Sequence, residues 1–290
     1  MLSNKQKKTK KVQDRKQYPW IRWFNNSCLQ DCFLTLFYLG IYNQDSDSQI
    51  ATSQDNQTLI EACENMRNIN VNEVYANAFV CMRQHNCVQL LRQGLGGQLS
   101  DVVQLQNFLN DNELYCTRYY IENSCLICND VKVDDSTNEV MREVFTENSG
   151  QDIMLSEAYI NSWNDTTSGC NCNNVGHSRK IKQVIERLPK YLFITIGFEN
   201  TNITIDERIG NGQRLYEIFG IISYSESRVH FICYIKDGQL SEQIKLNGWW
   251  RHDSLDGTIN NEGISTLQDL LQDISARGEK GHLIIYKHIQ

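Results

Sequence analysis

The stretch WFNNSCLQDCFLTLFYLG, residues 23–40, sets a thiol, Cys28, behind two asparagines and a serine at the mouth of an apolar helix. Ser27 and Gln30 form an S-x-x-Q pair, which reads as a capping box with Ser27 at the N-cap. Leu29, Cys32, Phe33, Leu36 and Phe37 follow at the i, i+3, i+4, i+7, i+8 spacing of one helix face, and Gly40 reads as the stop. Cys28 then falls in the first turn, where free backbone N–H groups and the helix dipole favour an anion. Such a position lowers a thiol's pKa and makes it a nucleophile. The competing reading is packing, because free cysteine is among the most buried residue types.

A chain of 290 residues is long enough to bury a full core, as one large domain or two small ones. No run approaches the length of a membrane span, and the opening MLSNKQKKTKK lacks an apolar stretch, so neither a span nor a secretory signal is expected. The 11 cysteines are odd in number and scattered, which points to reduced, catalytic or metal-bound thiols rather than a disulfide scaffold. The compartment expected is cytoplasmic or nuclear. Residues 1–17 are strongly basic, whereas the chain as a whole carries a net charge of −7. The basic run reads as a disordered tail, or else as a nuclear-import or nucleic-acid patch. No aromatics interleave it and the acidic body would repel a polyanion, so nucleic acid is not the expected partner. An acidic body suits a basic protein partner better.

Beyond the tail, Pro19 marks a boundary, and helical, polar-rich sequence fills residues 27–109, with GLGG at 94–97 as a turn. From Tyr115 the pattern changes to strands. CTRYYIENSCLIC and VKVDDSTNEVMREVF read as hairpin material, and YLFITIGF, YEIFGIISY, HFICYIK and HLIIYKHI as buried strands. STLQDLLQDISARG is a helix ahead of the last of them. Helices first and strands later argue for an α+β protein.

A nucleophilic thiol needs a base, and His230 is the best placed of the 6 histidines. It opens HFICYIK, where a side chain at the rim of a sheet can face a cleft. Asp253, in GWWRHDSLDG, could orient its ring, with a turn-forming role as the alternative. A second constellation pairs Cys125 and Cys128, as C-x-x-C, with Cys170 and Cys172, as C-x-C. Two close cysteine pairs far apart in sequence are the signature of a structural zinc ion held by four thiolates, with His177 as a possible substitute ligand. The C-x-x-C alone could instead be a redox pair, but no βαβ unit surrounds it.

The order of these features resembles the ubiquitin-specific protease family of cysteine deubiquitinases, from residue 18 to the end of the sequence. Asn26-Ser27-Cys28 with Asp31 is similar to that family's N-T-C-x-x-N box, in the N-S-C-x-x-D form of cylindromatosis-type members. Ser100-Asp101-Val102-Val103-Gln104 resembles its Q-D-A-x-E stretch, and Leu188-Pro189-Lys190-Tyr191-Leu192 its L-P-x-x-L segment. Residues 216–234, YEIFGIISYSESRVHFICY, resemble the box that carries the catalytic histidine, mapping it onto His230. Trp249 to Asp253 resembles W-x-x-F-D/N, which maps the third member onto Asp253, and residues 282–286 resemble the closing strand.

The resemblance implies a papain-like fold with a helical thumb (about 18–114), zinc-bearing β fingers (about 115–180) and an antiparallel β palm (about 181–290). It implies a thiol-dependent deubiquitinase acting on ubiquitin or ubiquitinated proteins, with Cys28, His230 and Asp253 catalytic and Zn2+ structural. Three positions depart from the family. Trp23 stands where an asparagine usually steadies the oxyanion, leaving Asn26 or Asn25 and the Cys28 N–H for that role. Val229 replaces the glycine before the histidine, where bulk would narrow the channel for a Gly-Gly tail, and Ser254 replaces a second acidic residue. An inactive ubiquitin-binding scaffold is therefore the alternative function.

Overall fold

The runs YLFITI, LYEIFGIISYS, HFICYIK and EKGHLIIYKH carry apolar residues at consecutive positions, rather than strictly alternating ones, because both faces of the sheet they build are covered. The computed structural model describes residues 28–42, 59–61, 63–64, 109, 112–125, 127, 130–144, 152–169, 178–197, 203–210, 214–236, 248–255, 258–261 and 263–289. The tail (1–17), Trp23, Asn25, Asn26, Ser27, His85, GLGG at 94–97, residues 100–104, Cys128, Cys170, Cys172 and His177 lie outside the described residues.

Helix α1 (Cys28–Phe37) continues directly into a π-helical turn, Tyr38–Tyr42. Strands β1 (Thr117–Cys125), β2 (Asp130–Val133), β3 (Thr137–Glu139), β4 (Met141–Val144) and β5 (Ile153–Met154) precede helix α2 (Leu155–Asn161). They are followed by β6 (Thr166–Gly169), β7 (Ser178–Arg187), β8 (Tyr191–Ile196), β9 (Ile203–Thr204), β10 (Arg208–Gly210), β11 (Leu215–Ser225), β12 (His230–Lys236), β13 (Trp249–Asp253) and β14 (Thr258–Asn261). Helix α3 (Leu267–Ala276) and β15 (Glu279–His288) close the described chain. Thr266 caps α3 by accepting the N–H of Asp269 at 3.1 Å.

The expected α+β class is what the chain adopts. Eight strands form the main sheet, ordered β14-β13-β12-β11-β15-β8-β4, with β10 added beside β11. All its pairings are antiparallel except β4 with β8. A second sheet of five strands runs β2-β1-β7-β6, with β3 on β1. Two buried clusters sandwich the main sheet. On one face Phe193, Phe231, Cys233, Leu283 and Ile285 meet α1 and the π turn; on the other Ile194, Ile232, Tyr234, Ile284 and Tyr286 meet α2 and α3. Along β8, β12 and β15 neighbouring residues go to opposite clusters, as the period of two requires.

The structure departs from the sequence reading at two points. Gly40 does not stop the helix, because the π turn runs through it. A Cβ there would lie 2.4 Å from Cε2 of Phe219, so glycine is needed for close packing against β11. Gln30 is buried and its side chain finds no hydrogen-bond partner among the described residues, while the capping box expected with Ser27 lies outside them. MREV, read as hairpin material, forms β4 and joins the main sheet in parallel with β8, while β2 and β3 pair with β1 as the hairpin reading required. Val140, Met141 and Val144 are buried, and that burial draws β4 into the main core.

Candidate active site

Cys28 is the first residue of α1 and is 9% exposed. Helix α1 lies against β12 on its Phe231/Cys233/Ile235 face, which brings the helix N-terminus to the rim where β12 begins. His230 is the first residue of β12, and Asp253 the last of β13. Cys233 pairs with His252 and Tyr234 with Arg251, so the same register carries Asp253 opposite Ile232, diagonal to His230 on one face. Secondary structure alone thus gathers three residues separated by more than two hundred positions.

The contacts are direct. The Cys28 thiol is hydrogen-bonded to the His230 ring and to the backbone N–H groups of Phe231 and Leu29. His230 Nε2 lies 2.8 Å from Asp253 Oδ1, which leaves Nδ1 for the sulfur. Burial pushes the thiol pKa up, but the hydrogen bond and charge of His230, with the two backbone donors, bring it below its ordinary value. Burial disfavours imidazolium, yet Asp253 and Cys28 raise His230 to about 9. Burial also opposes ionisation of Asp253, but the His230 hydrogen bond and the charges of His230, Arg228 and Arg251 hold it well below the carboxylate range. The arrangement favours a thiolate–imidazolium pair backed by a carboxylate, which is what nucleophilic thiol chemistry requires.

Two groups escaped the sequence reading. Arg228, in the turn before β12, donates to Asp253 Oδ2 at 2.9 Å, and so does Arg251 of β13 at 2.9 Å. Arg251 also lies 4.0 Å from Glu279 of β15, which accepts from Ser223 and Tyr234 at 2.7 and 2.8 Å. The only sequence hint was an arginine two residues before the candidate aspartate, on the same face of a short strand.

Of the other expected site residues, Cys125 ends β1 and is buried. Among the described residues no group of three or more ligand types is arranged to hold a metal. In the five-stranded sheet Ser124 pairs with Lys180 and Gly169 with Ser178, so the described ends of β1 and β6 both flank the start of β7. Val229 carries a positive φ of 49° and is 74% exposed beside His230. Ser254 is buried, and its Oγ has no partner among the described residues.

No family model and no curated protein matches the sequence. Solved structures do. The SAGA Ubp8/Sgf11/Sus1/Sgf73 DUB module bound to ubiquitin aldehyde matches at 14% identity and a TM-score of 0.61, covering 94% of this chain and 70% of that one. The SAGA DUB module bound to monoubiquitin matches at 13% identity and a TM-score of 0.62, covering 94% and 69%. The fold is that of a ubiquitin-specific protease catalytic domain. Within this papain-like fold the Cys28 helix packs on the main sheet, and His230 and Asp253 stand at the sheet's rim. At this identity the likeness is one of fold. Among the described residues no helix is long and apolar enough to cross a membrane.

Proposed function

We propose that this chain is a thiol-dependent deubiquitinase that hydrolyses the isopeptide bond after the C-terminal glycine of ubiquitin. The observation that carries the reading is the hydrogen-bonded series Cys28, His230, Asp253, set on a fold shared with ubiquitin-bound neighbours. The Cys28 thiolate attacks the glycine carbonyl carbon, and the carbonyl oxygen takes up the negative charge. His230, protonated at the start, gives its proton to the departing lysine amine as the C–N bond breaks. The resulting thioester is attacked by water, from which His230 takes a proton, and collapse returns the sulfur to Cys28. Asp253 holds the ring and stabilises its charged form. The Cys28 backbone N–H and the Asn26 side chain are assigned to the oxyanion.

Zn2+ is proposed for Cys125, Cys128, Cys170 and Cys172, where it would tie two finger segments together and take no part in the reaction. The acidic body suits a basic face of ubiquitin, and the cytoplasm or nucleus suits the reduced thiols. The second reading, an inactive ubiquitin-binding scaffold, is favoured by Val229, whose side chain stands where the family carries glycine. The deciding experiment treats the full chain and Cys28→Ala with ubiquitin bearing a C-terminal electrophile. The proposal expects labelling of the unaltered chain alone and release of ubiquitin from a lysine-linked conjugate. Binding of ubiquitin without labelling or cleavage would transfer support to the scaffold reading.

A further inference from the structure

The acceptor oxygens of Asp253 are fully divided among donors. Oδ1 takes His230 Nε2 at 2.8 Å and the Leu255 N–H at 3.0 Å, while Oδ2 takes Arg228 and Arg251 at 2.9 Å each. The carboxylate is wholly buried, so its charge needs a partner inside the protein. Arg251 is itself buried and faces a second carboxylate, Glu279, at 4.0 Å. Arg251 lies between the two carboxylates, and with Arg228 it makes two guanidiniums facing Asp253 and Glu279, charge for charge. The imidazolium of His230 then lacks a free anion and draws its counter-charge from the Cys28 sulfur.

We infer that Arg228 is a positioning residue that makes the Cys28 thiolate the counter-ion of His230, by neutralising Asp253 from the far side. Without that guanidinium, Asp253 and Glu279 together would balance Arg251 and the imidazolium, and the thiol would keep its proton. The inference deepens the proposed thiol mechanism and rests on it for its biological meaning, but its electrostatics concern the sulfur alone. The other charged or titratable groups around the pair are Asp31 and Cys32 from α1, and Cys233 and Tyr234 from β12. Arg251 and His252 of β13, and Glu279 of β15, are the others among the described residues. Cys32 is hydrogen-bonded to Cys233, and burial together with that contact pushes its thiol well up, so it competes poorly as an anion.

Arg228 suits a test because its side chain is 39% exposed in a turn and its loss opens no core cavity. The probe is iodoacetamide, with alkylation of the Cys28 peptide in the full-length protein followed by mass spectrometry across pH. Arg228→Gln removes one cation from the charge balance behind His230, so the half-rise of the alkylation rate is expected to move up. After discounting for solvent screening the shift is about half a pH unit to one unit. Arg228→Lys keeps the charge and is expected to recover more than half of that shift. A Gln profile superimposable on the unaltered one, or a Lys shift as large as the Gln shift, would overturn the inference. Because the readout needs no ubiquitin, a chain that cleaves no conjugate yet shows the charge-dependent shift would sink the proposed function and keep this one.

Discussion

Replacing Val229 with asparagine should stabilise the protein, against the usual direction of substitutions beside a candidate catalytic histidine. Val229 sits at φ 49° in the turn closed by its own N–H to the Glu226 carbonyl at 3.4 Å. A left-handed backbone costs an L-residue about 1–2 kcal/mol, and β-branching puts valine at the upper end. Its side chain is 74% exposed, so burial offsets only about a quarter of a valine's full contribution, roughly 0.5 kcal/mol. Asparagine tolerates the left-handed region and adds little unfolded-state entropy, leaving a net gain of about 1 kcal/mol. Glycine relieves the same strain but gives back about 0.5–1 kcal/mol in chain entropy, so Val229→Gly should fall near zero. Thermal unfolding followed by circular dichroism would show Val229→Asn raised by about 2–4 °C. A fall of similar size in the asparagine variant would mean that the strain argument is wrong and that the valine makes contacts outweighing its backbone cost. The same variants measure the channel: Val229→Gly should raise kcat/KM on a ubiquitin substrate if the side chain crowds the Gly-Gly tail.

Cys28→Ser removes the sulfur that helps raise His230, so the imidazole titration, followed by NMR, should drop from about 9 in this variant. Asp253→Ala strands buried Arg251 and frees the His230 ring. It should lower kcat/KM by about a hundredfold or more and cost roughly 3–5 kcal/mol in a denaturant titration. Gly40→Ala forces a Cβ to within 2.4 Å of Phe219, a completely buried ring, and should cost about 1–3 kcal/mol by the same titration. Folded-state His230 titrates at about 9 against an ordinary 6.5, so its stabilisation is complete below 6.5 and fades as pH rises through about 9. Asp253 acts in the other direction, since its lowered pKa stabilises the fold above the ordinary carboxylate range and that share disappears towards strong acid. A stability profile flat from neutrality to pH 10 would contradict the His230 assignment. For the proposed Zn2+, a chelator or Cys125→Ser should release one metal ion per chain and loosen the five-stranded sheet, as metal analysis and limited proteolysis would report.

What could be read from the sequence was whatever depends on local period. YLFITI, HFICYIK and HLIIYKH announced covered strands because apolar residues fill consecutive positions on both faces, and LQDLLQDISA announced a helix by its one-sided spacing. Cys28 at a helix start and His230 at a strand start were legible as well, because an element's end fixes where its first side chain can stand. The role of Arg251 was not. A buried arginine is explained only by its partners, and Glu279 is a distant one that no periodicity announces. The pairing of β4 with β8 stayed hidden for a related reason: a four-residue strand in parallel register has no turn sequence to declare its neighbour. Gly40 misled because a glycine after a helical run resembles a cap, whereas here the space it leaves is taken by a phenylalanine ring from another element.

Strand β15 is the last element of the described chain, yet it lies between β11 and β8 in the middle of the main sheet and brings Glu279 to Arg251. During synthesis the nucleophile therefore leaves the ribosome long before the slot between those two strands is filled. Until residues 279–288 have emerged and zipped into place, the arginine behind the triad has no second carboxylate, and two central strands expose bare edges. The charge network behind Asp253 is therefore complete only once that final strand has slotted between its two neighbours.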